Sequence, residues 1–116
     1  MKQGEIWMID LDPTIGSEIK KTRPAIIVND NALGKLPLKI IVPLTEWKEY
    51  YNLAPWMVKI VPDNLNNLLK NSAADCFQIR SISEERFISK IGLITSDIID
   101  KLKKSLSRVL SIETDL

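Results

Sequence analysis

Three short stretches carry polar residues where a plain β core has no use for them. Gly16, Ser17 and Glu18 are followed by Arg23 and Pro24, so a carboxylate and a guanidinium bracket one loop and are expected to converge on one cleft. Thr45 closes an apolar run that contains Pro43 and Leu44. Gln78 and Arg80 stand two residues apart, which puts them on one face if the segment is a strand. These types together make an anion site. Arg23 and Arg80 supply charge, Thr45 and Ser17 supply hydroxyl donors, and Glu18 is available as a base.

The rest of the composition limits what such a site can do. The chain has 116 residues, no histidine and one cysteine. That excludes Ser-His-Asp and Cys-His catalysis, histidine-ligated zinc, an internal disulfide and a thiolate cluster. No metal site and no cofactor are expected. Lys and Arg number 16 against 15 Asp and Glu, for a net charge of +1. A protein that coats nucleic acid by bulk charge does not fit this balance, although a local basic site does. No apolar run approaches the ~18 residues of a membrane span. The start, Met1 to Glu5, leads directly into a strand pattern rather than a signal sequence, and a cytoplasmic protein is expected.

The length predicts a single domain over residues 1–116. All six prolines lie within the first 62 residues, which argues against long helices there. Strands are expected over 5–11, 24–29, 38–44, 56–61, 73–79 and 88–93. The unbroken apolar run from Pro24 to Val28 predicts burial on both faces. Residues 12–22 form a polar loop long enough to be functional, and 46–55 form a second loop with room for one helical turn. Asp30 and Ser83 are expected to cap short turns. One long helix follows Thr95, with Ile98, Leu102, Leu106, Val109 and Leu110 on one face. The result is a mainly β chain with a C-terminal α-helix and a small, strongly bent sheet or barrel.

Five pieces in order then resemble a known family. Gly4-Glu5-Ile6-Trp7 with Asp10-Leu11-Asp12-Pro13-Thr14, Gly16-Ser17-Glu18, Arg23-Pro24, Pro43-Leu44-Thr45 and Gln78-Ile79-Arg80-Ser81-Ile82 look like the MazF/PemK (Kid) toxins of type II toxin–antitoxin modules. The resemblance spans nearly the whole chain. It implies an SH3-like, strongly bent β-barrel of the CcdB/Kid/MazF type, acting as a homodimer. It implies a metal-independent endoribonuclease, an mRNA interferase, that cuts single-stranded RNA at short sequences. It also implies a cognate antitoxin that blocks the RNA groove, with DNA contacted only through that antitoxin and no membrane partner.

By that resemblance Arg23 and Thr45 are the catalytic pair and Glu18 is a plausible base. The chemistry suits a chain without histidine, because RNA brings its own nucleophile, the 2′-hydroxyl, and leaves a 2′,3′-cyclic phosphate and a 5′-hydroxyl. An arginine fork matches phosphate but does not readily give up its proton, so Arg23 reads as a transition-state clamp. Ser17, Lys20, Lys21, Gln78 and Arg80 are the expected RNA contacts. Lys20 and Lys21 either hold phosphates nonspecifically or solvate the loop, and Arg80 either touches RNA or braces the dimer or the fold. Some family members carry an arginine and an aspartate, used as acid and base, where this chain has Asp75 and Phe77. That version of the site does not transfer, and Phe77 is left as a base-stacking or a core residue. Trp7 and Cys76 read as core, and Trp47 and Trp56 as interface or antitoxin contacts more than RNA contacts. Two alternatives stand beside the nuclease: a CcdB-like toxin that grips gyrase, and a family member that binds RNA without cutting it.

Overall fold

Strands form where apolar residues run or alternate, and the one helix forms where they recur every three to four residues. The computed structural model describes residues 1–113. Its strands are β1 (Glu5–Asp10), β2 (Thr22–Ile27), β3 (Leu38–Glu46), β4 (Met57–Ile60), β5 (Ser72–Asp75), β6 (Arg80–Ser83) and β7 (Phe87–Leu93), and the helix is α1 (Ser96–Val109). The last three residues of the expected domain, 114–116, lie outside the described residues.

All pairings are antiparallel, in the order β4-β5-β3-β2-β1-β7, with β6 also on β3. β3 is the hub. One edge takes β2 through Ala25↔Pro43, Ile26↔Val42 and Ile27↔Ile41. The opposite edge takes β6 along Leu38–Ile41 and then β5 along Leu44–Glu46. Pro43 lies in the gap between those two partners. It has no N–H to leave unpaired, so the edge can change partner there without an orphaned donor at that residue. The sheet bends at β3 and does not close. The segment after β4 spans the seam to β7, where the Leu93 amide donates to the Leu65 carbonyl (3.1 Å) and Asn67 Nδ2 donates to the Ile91 carbonyl (2.9 Å).

The bend creates two apolar clusters. Ile6, Ile26, Val42, Leu44, Val58, Ile60 and Ala74 pack with Leu102 of α1 in the first. Ile9, Leu11, Ala25, Ile27, Ile41 and Ile82 form the second. β2 feeds both, which is why its apolar run is unbroken. α1 is capped by Thr95, whose hydroxyl accepts from the Ile98 amide, and Ser105 ties it to the Pro55 carbonyl (2.8 Å). Leu110, expected on the buried face, is exposed because the helix ends at Val109. Among the described residues no helix is long and apolar enough to cross a membrane.

One expected element is corrected. The strand over 73–79 is in fact β5, a 3-10 turn at Cys76–Gln78, and then β6. The Asp75 carboxylate accepts from the Phe77 amide (3.1 Å), and the Cys76 amide donates to the Trp56 carbonyl (2.9 Å), so the chain leaves β5 and returns to the other half of β3. The 46–55 segment follows expectation, with a 3-10 turn at Glu49–Leu53. Asp30 and Ser83 cap turns as expected.

Gly92 marks the tightest approach of β7 to the seam. A Cβ there would stand 2.5 Å from the Leu65 carbonyl oxygen and 2.7 Å from that of Asn66. Backbone oxygens cannot swing aside, so Gly92→Ala is expected to destabilise by about 1–3 kcal/mol, read as a lower urea midpoint.

Candidate functional site

The register of β2 on β3 sets the first part of the site. The paired stretch ends at Ala25↔Pro43, and two residues further along each strand the chains carry Arg23 and Thr45. Arg23 and Thr45 are half-buried and line one cleft of about 420 Å³ with Pro24, Leu44, Asn67 and Lys70 among its walls. Arg23 Nε donates to the Lys20 carbonyl (3.3 Å), which ties the guanidinium to the end of the 12–22 loop. Among the described residues its Nη groups meet no carboxylate, so the fork is available to an anion.

Glu18 lies elsewhere. With Ser17, Phe77, Gln78 and Arg80 it lines a second cleft, of about 450 Å³. The expectation that Glu18 and Arg23 converge on one cleft is therefore corrected: they line two neighbouring ones. The clefts adjoin, because Pro43 lines one and Leu44 and Thr45 line the other. Pro43 and Thr45 lie on the same face of β3, about 7 Å apart at the rise of a strand. Glu18 Oε1 accepts from the Ile15 amide (2.6 Å), so the exposed carboxylate is steadied by its own loop.

Gln78 and Arg80 do not share a strand face, since Gln78 sits in the 3-10 turn and Arg80 begins β6. They do meet in the Glu18 cleft. Gln78 grips the chain on both sides of Glu18: its Oε1 accepts from the Ile19 amide (2.5 Å), and its Nε2 donates to the Ser17 carbonyl (3.3 Å). Nε2 also lies 3.4 Å from Asp75 Oδ2. Arg80 Nη1 donates to the Leu11 carbonyl (3.2 Å). Both side chains thus hold the loop in place. Lys20 and Lys21 are exposed and line neither cleft, and Lys21 adopts φ 71° where the loop turns back.

Sequence reasoning missed the residues that close this loop. Arg86 Nη1 donates to the carbonyls of Asp10 and Asp12. Asp12 Oδ1 accepts from Thr14 Oγ1 and from the Lys21 amide (both 3.1 Å). Asp12 preceding Pro13 signals a turn, but Arg86 has no local signal because its partners are more than 70 positions away. Asn66 was also missed. It is buried, and its amide donates to the Val61 carbonyl while its Oδ1 accepts from the Asp63 and Leu68 amides, shaping the far wall of the Arg23 cleft.

Burial raises the Asp75 carboxyl above its ordinary value, against hydrogen bonds from Phe77 and Gln78 that lower it. Burial likewise pushes the Cys76 thiol up, so this buried cysteine is no ready nucleophile. Trp47 is half-buried, edge-to-face with Tyr51, and Lys59 Nζ stands 5.2 Å from its ring. A larger hollow of about 680 Å³ near Met1 and Asn29 contains the Lys39–Glu84 ion pair and none of the candidate residues. Among the described residues no three His, Cys, Asp or Glu side chains cluster as metal ligands.

Residues 2–110 match the family described as PemK-like, MazF-like toxin of type II toxin–antitoxin system. The chain is 30% identical to Endoribonuclease MazF9 of Mycobacterium tuberculosis, over 97% of this chain and 98% of that protein. It is 29% identical to Endoribonuclease PemK of Escherichia coli, over 96% and 83%. Its fold superposes on MazF from Deinococcus radiodurans with a TM-score of 0.79, 19% identity and 97% of each chain covered. It superposes on a mycobacterial endoribonuclease solved with its cognate antitoxin with a TM-score of 0.77, 17% identity and 98% of each chain covered.

Two measurements check the loop anchor. Gln78→Leu removes both bonds that flank Glu18, and the Ile19 amide is expected to exchange with solvent about 2- to 10-fold faster, in line with a net hydrogen bond of ~0.5–1.5 kcal/mol. Asp75 adds a pH signature. Because its folded pKa is raised, its protonated form stabilises the fold below the unfolded value, and that contribution is lost as pH rises through the folded value. The Tm difference between wild type and Asp75→Asn is therefore expected to move against wild type as pH climbs through that window.

Proposed function

The chain belongs to the PemK-like, MazF-like toxin family of type II toxin–antitoxin systems, and on that premise we propose how its two clefts cut RNA. It is an endoribonuclease toxin, as its named relatives are. The substrate is single-stranded RNA, mRNA foremost. The scissile phosphate lies between Arg23 and Thr45, and the adjoining 2′-hydroxyl attacks it. The Arg23 fork clamps the two charged oxygens of the phosphorane, where charge accumulates in the transition state. The Thr45 hydroxyl donates to a phosphoryl oxygen. Glu18, held by Gln78 at the rim of the neighbouring cleft, takes the 2′-hydroxyl proton. As the O2′–P bond forms the P–O5′ bond breaks, and the departing oxygen takes a proton from water, which leaves a 2′,3′-cyclic phosphate and a 5′-hydroxyl; no metal ion or cofactor takes part.

The observation that carries this reading is that Arg23 and Thr45 line one cleft at the adjoining ends of β2 and β3, with no carboxylate among the described residues drawn onto the guanidinium. Ser17 and Arg80 serve the strand in the Glu18 cleft, while Lys20 and Lys21 contribute only diffuse charge. The working protein is a cytoplasmic homodimer of 1–116 domains, neutralised by a cognate antitoxin. The mycobacterial structure with its antitoxin supports that partner class. The family match favours this reading over a gyrase-gripping toxin and over an RNA binder without turnover.

Purified protein in EDTA is expected to cut a mixed-sequence single-stranded RNA and leave cyclic phosphate ends. Arg23→Ala should lower kcat about 10²- to 10³-fold, and Thr45→Ala about 10- to 150-fold, the worth of a hydrogen bond to a charged group. A 2′-deoxy nucleotide at the cut should abolish cleavage. Continued cutting of that substrate would refute the mechanism.

A further inference from the structure

Phe77 is unexplained by the fold. It is 68% exposed, although a phenylalanine beside the buried Ala73–Cys76 run has every apolar reason to turn inward. The turn prevents it. The Phe77 amide is engaged by Asp75, the neighbouring Cys76 amide by the Trp56 carbonyl, and the Gln78 side chain by the loop. The backbone is pinned on both sides, with the ring pointing into the cleft that Ser17, Glu18 and Arg80 also line.

The ring is also steadied by an aromatic neighbour. Trp56, itself 39% exposed, meets it edge-to-face, with centroids 6.1 Å apart and planes at 67°. Such a contact covers at most one face of the phenylalanine, and with 68% of the residue exposed most of the ring remains open to solvent. A fixed aromatic face beside an arginine, in a cleft that adjoins the Arg23–Thr45 pair, has the components of a single-strand subsite: a stacking surface and a cation for the backbone. The polar atoms of Gln78 are spent on the loop, so this subsite takes a base by its face and not by its edge.

We propose that Phe77, backed by Trp56, is a stacking platform for a nucleobase flanking the cleaved phosphate. The assignment rests on the RNA-cleaving reading of the two clefts and adds a recognition element to it. Position 77 in this chain then binds substrate and takes no part in proton transfer. Trp47, half-buried under Lys59, has no comparable free face.

The test uses a short RNA spanning a sequence the protein cuts, made uncleavable by one 2′-deoxy nucleotide at the cut, with abasic replacements placed one at a time on either side. Binding is followed by fluorescence anisotropy. For the wild type, one abasic position should weaken binding about 5- to 150-fold, the range for loss of a stacked base. Phe77→Ala should weaken binding of the intact RNA to a similar extent, and the same abasic replacement should then cost nothing more. Phe77→Tyr, which keeps the ring, should bind like wild type and guards against a folding artefact. Equal binding by wild type and Phe77→Ala overturns the platform, and so do penalties that simply add. A Phe77→Ala effect confined to self-association overturns it too, assigning the ring to a protein interface. If the wild type cuts RNA and Arg23→Ala does not, while Phe77→Ala is unaffected, the platform alone falls. If the wild type neither cuts nor binds RNA, the reading of both clefts falls with it.

Discussion

The structure depends on one strand changing partners along one edge. β3 has nine residues, and it serves β2 along one side and β6 then β5 along the other. Antiparallel strands must present N–H and C=O groups in register, so a change of partner ordinarily strands a donor. Pro43 stands at the change and brings no donor. The segment from Cys76 to Ile79 crosses at the same level, bridging the two sheet halves. From this single junction follow the bend, the two separate apolar clusters, and the position of Thr45 just past the bend.

The site is built on the consequences. The second cluster buries Ala25, Ile27 and Ile41 on one sheet face, and Arg23 and Thr45 continue that face beyond the core, where polar groups meet solvent. The core supplies rigidity and the strand ends supply chemistry. The loop from Leu11 to Lys21 has few apolar contacts of its own, apart from Leu11 and Ile19 in the second cluster. It is held by polar clamps instead: Gln78 on Ser17 and Ile19, Arg80 on Leu11, and Arg86 on Asp10 and Asp12. Each bond contributes only ~0.5–1.5 kcal/mol net, so the loop is positioned more firmly than a free loop and far less firmly than the strands. That suits a segment that has to admit a polymer and release it. Asp75 is buried under the same clamp, which is why its charge is costly and its pKa raised.

Several elements were legible from local residues alone. The two-sided burial of Ala25 to Ile27, the Thr95 cap of the helix and the turns capped by Asp30 and Ser83 all rest on neighbours a few positions apart. The 73–79 segment was not legible. Its β-forming composition predicts one strand, but Asp75 folds back on Phe77 and Cys76 finds Trp56, a partner that becomes available only when β4 lies alongside. The site shows the same division. The shared cleft of Arg23 and Thr45 follows from two adjacent strands. The removal of Glu18 to a neighbouring cleft follows from a bond to Gln78, 59 positions from Ile19.

The sequence by itself determined the kind of chemistry. With no histidine and one buried cysteine, only carboxylates, guanidiniums, hydroxyls and amines are left to act, and the ordered motif pieces identify the family. Those are properties of residue type and local spacing, which the chain carries before it folds. The tertiary structure alone decided how that chemistry is divided between two clefts, which polar residues face a ligand and which are spent as clamps, and that Phe77 points outward. Each of these depends on contacts between segments far apart in the chain. No local pattern encodes them, because their free energy arises only once β3 has brought its three neighbours together.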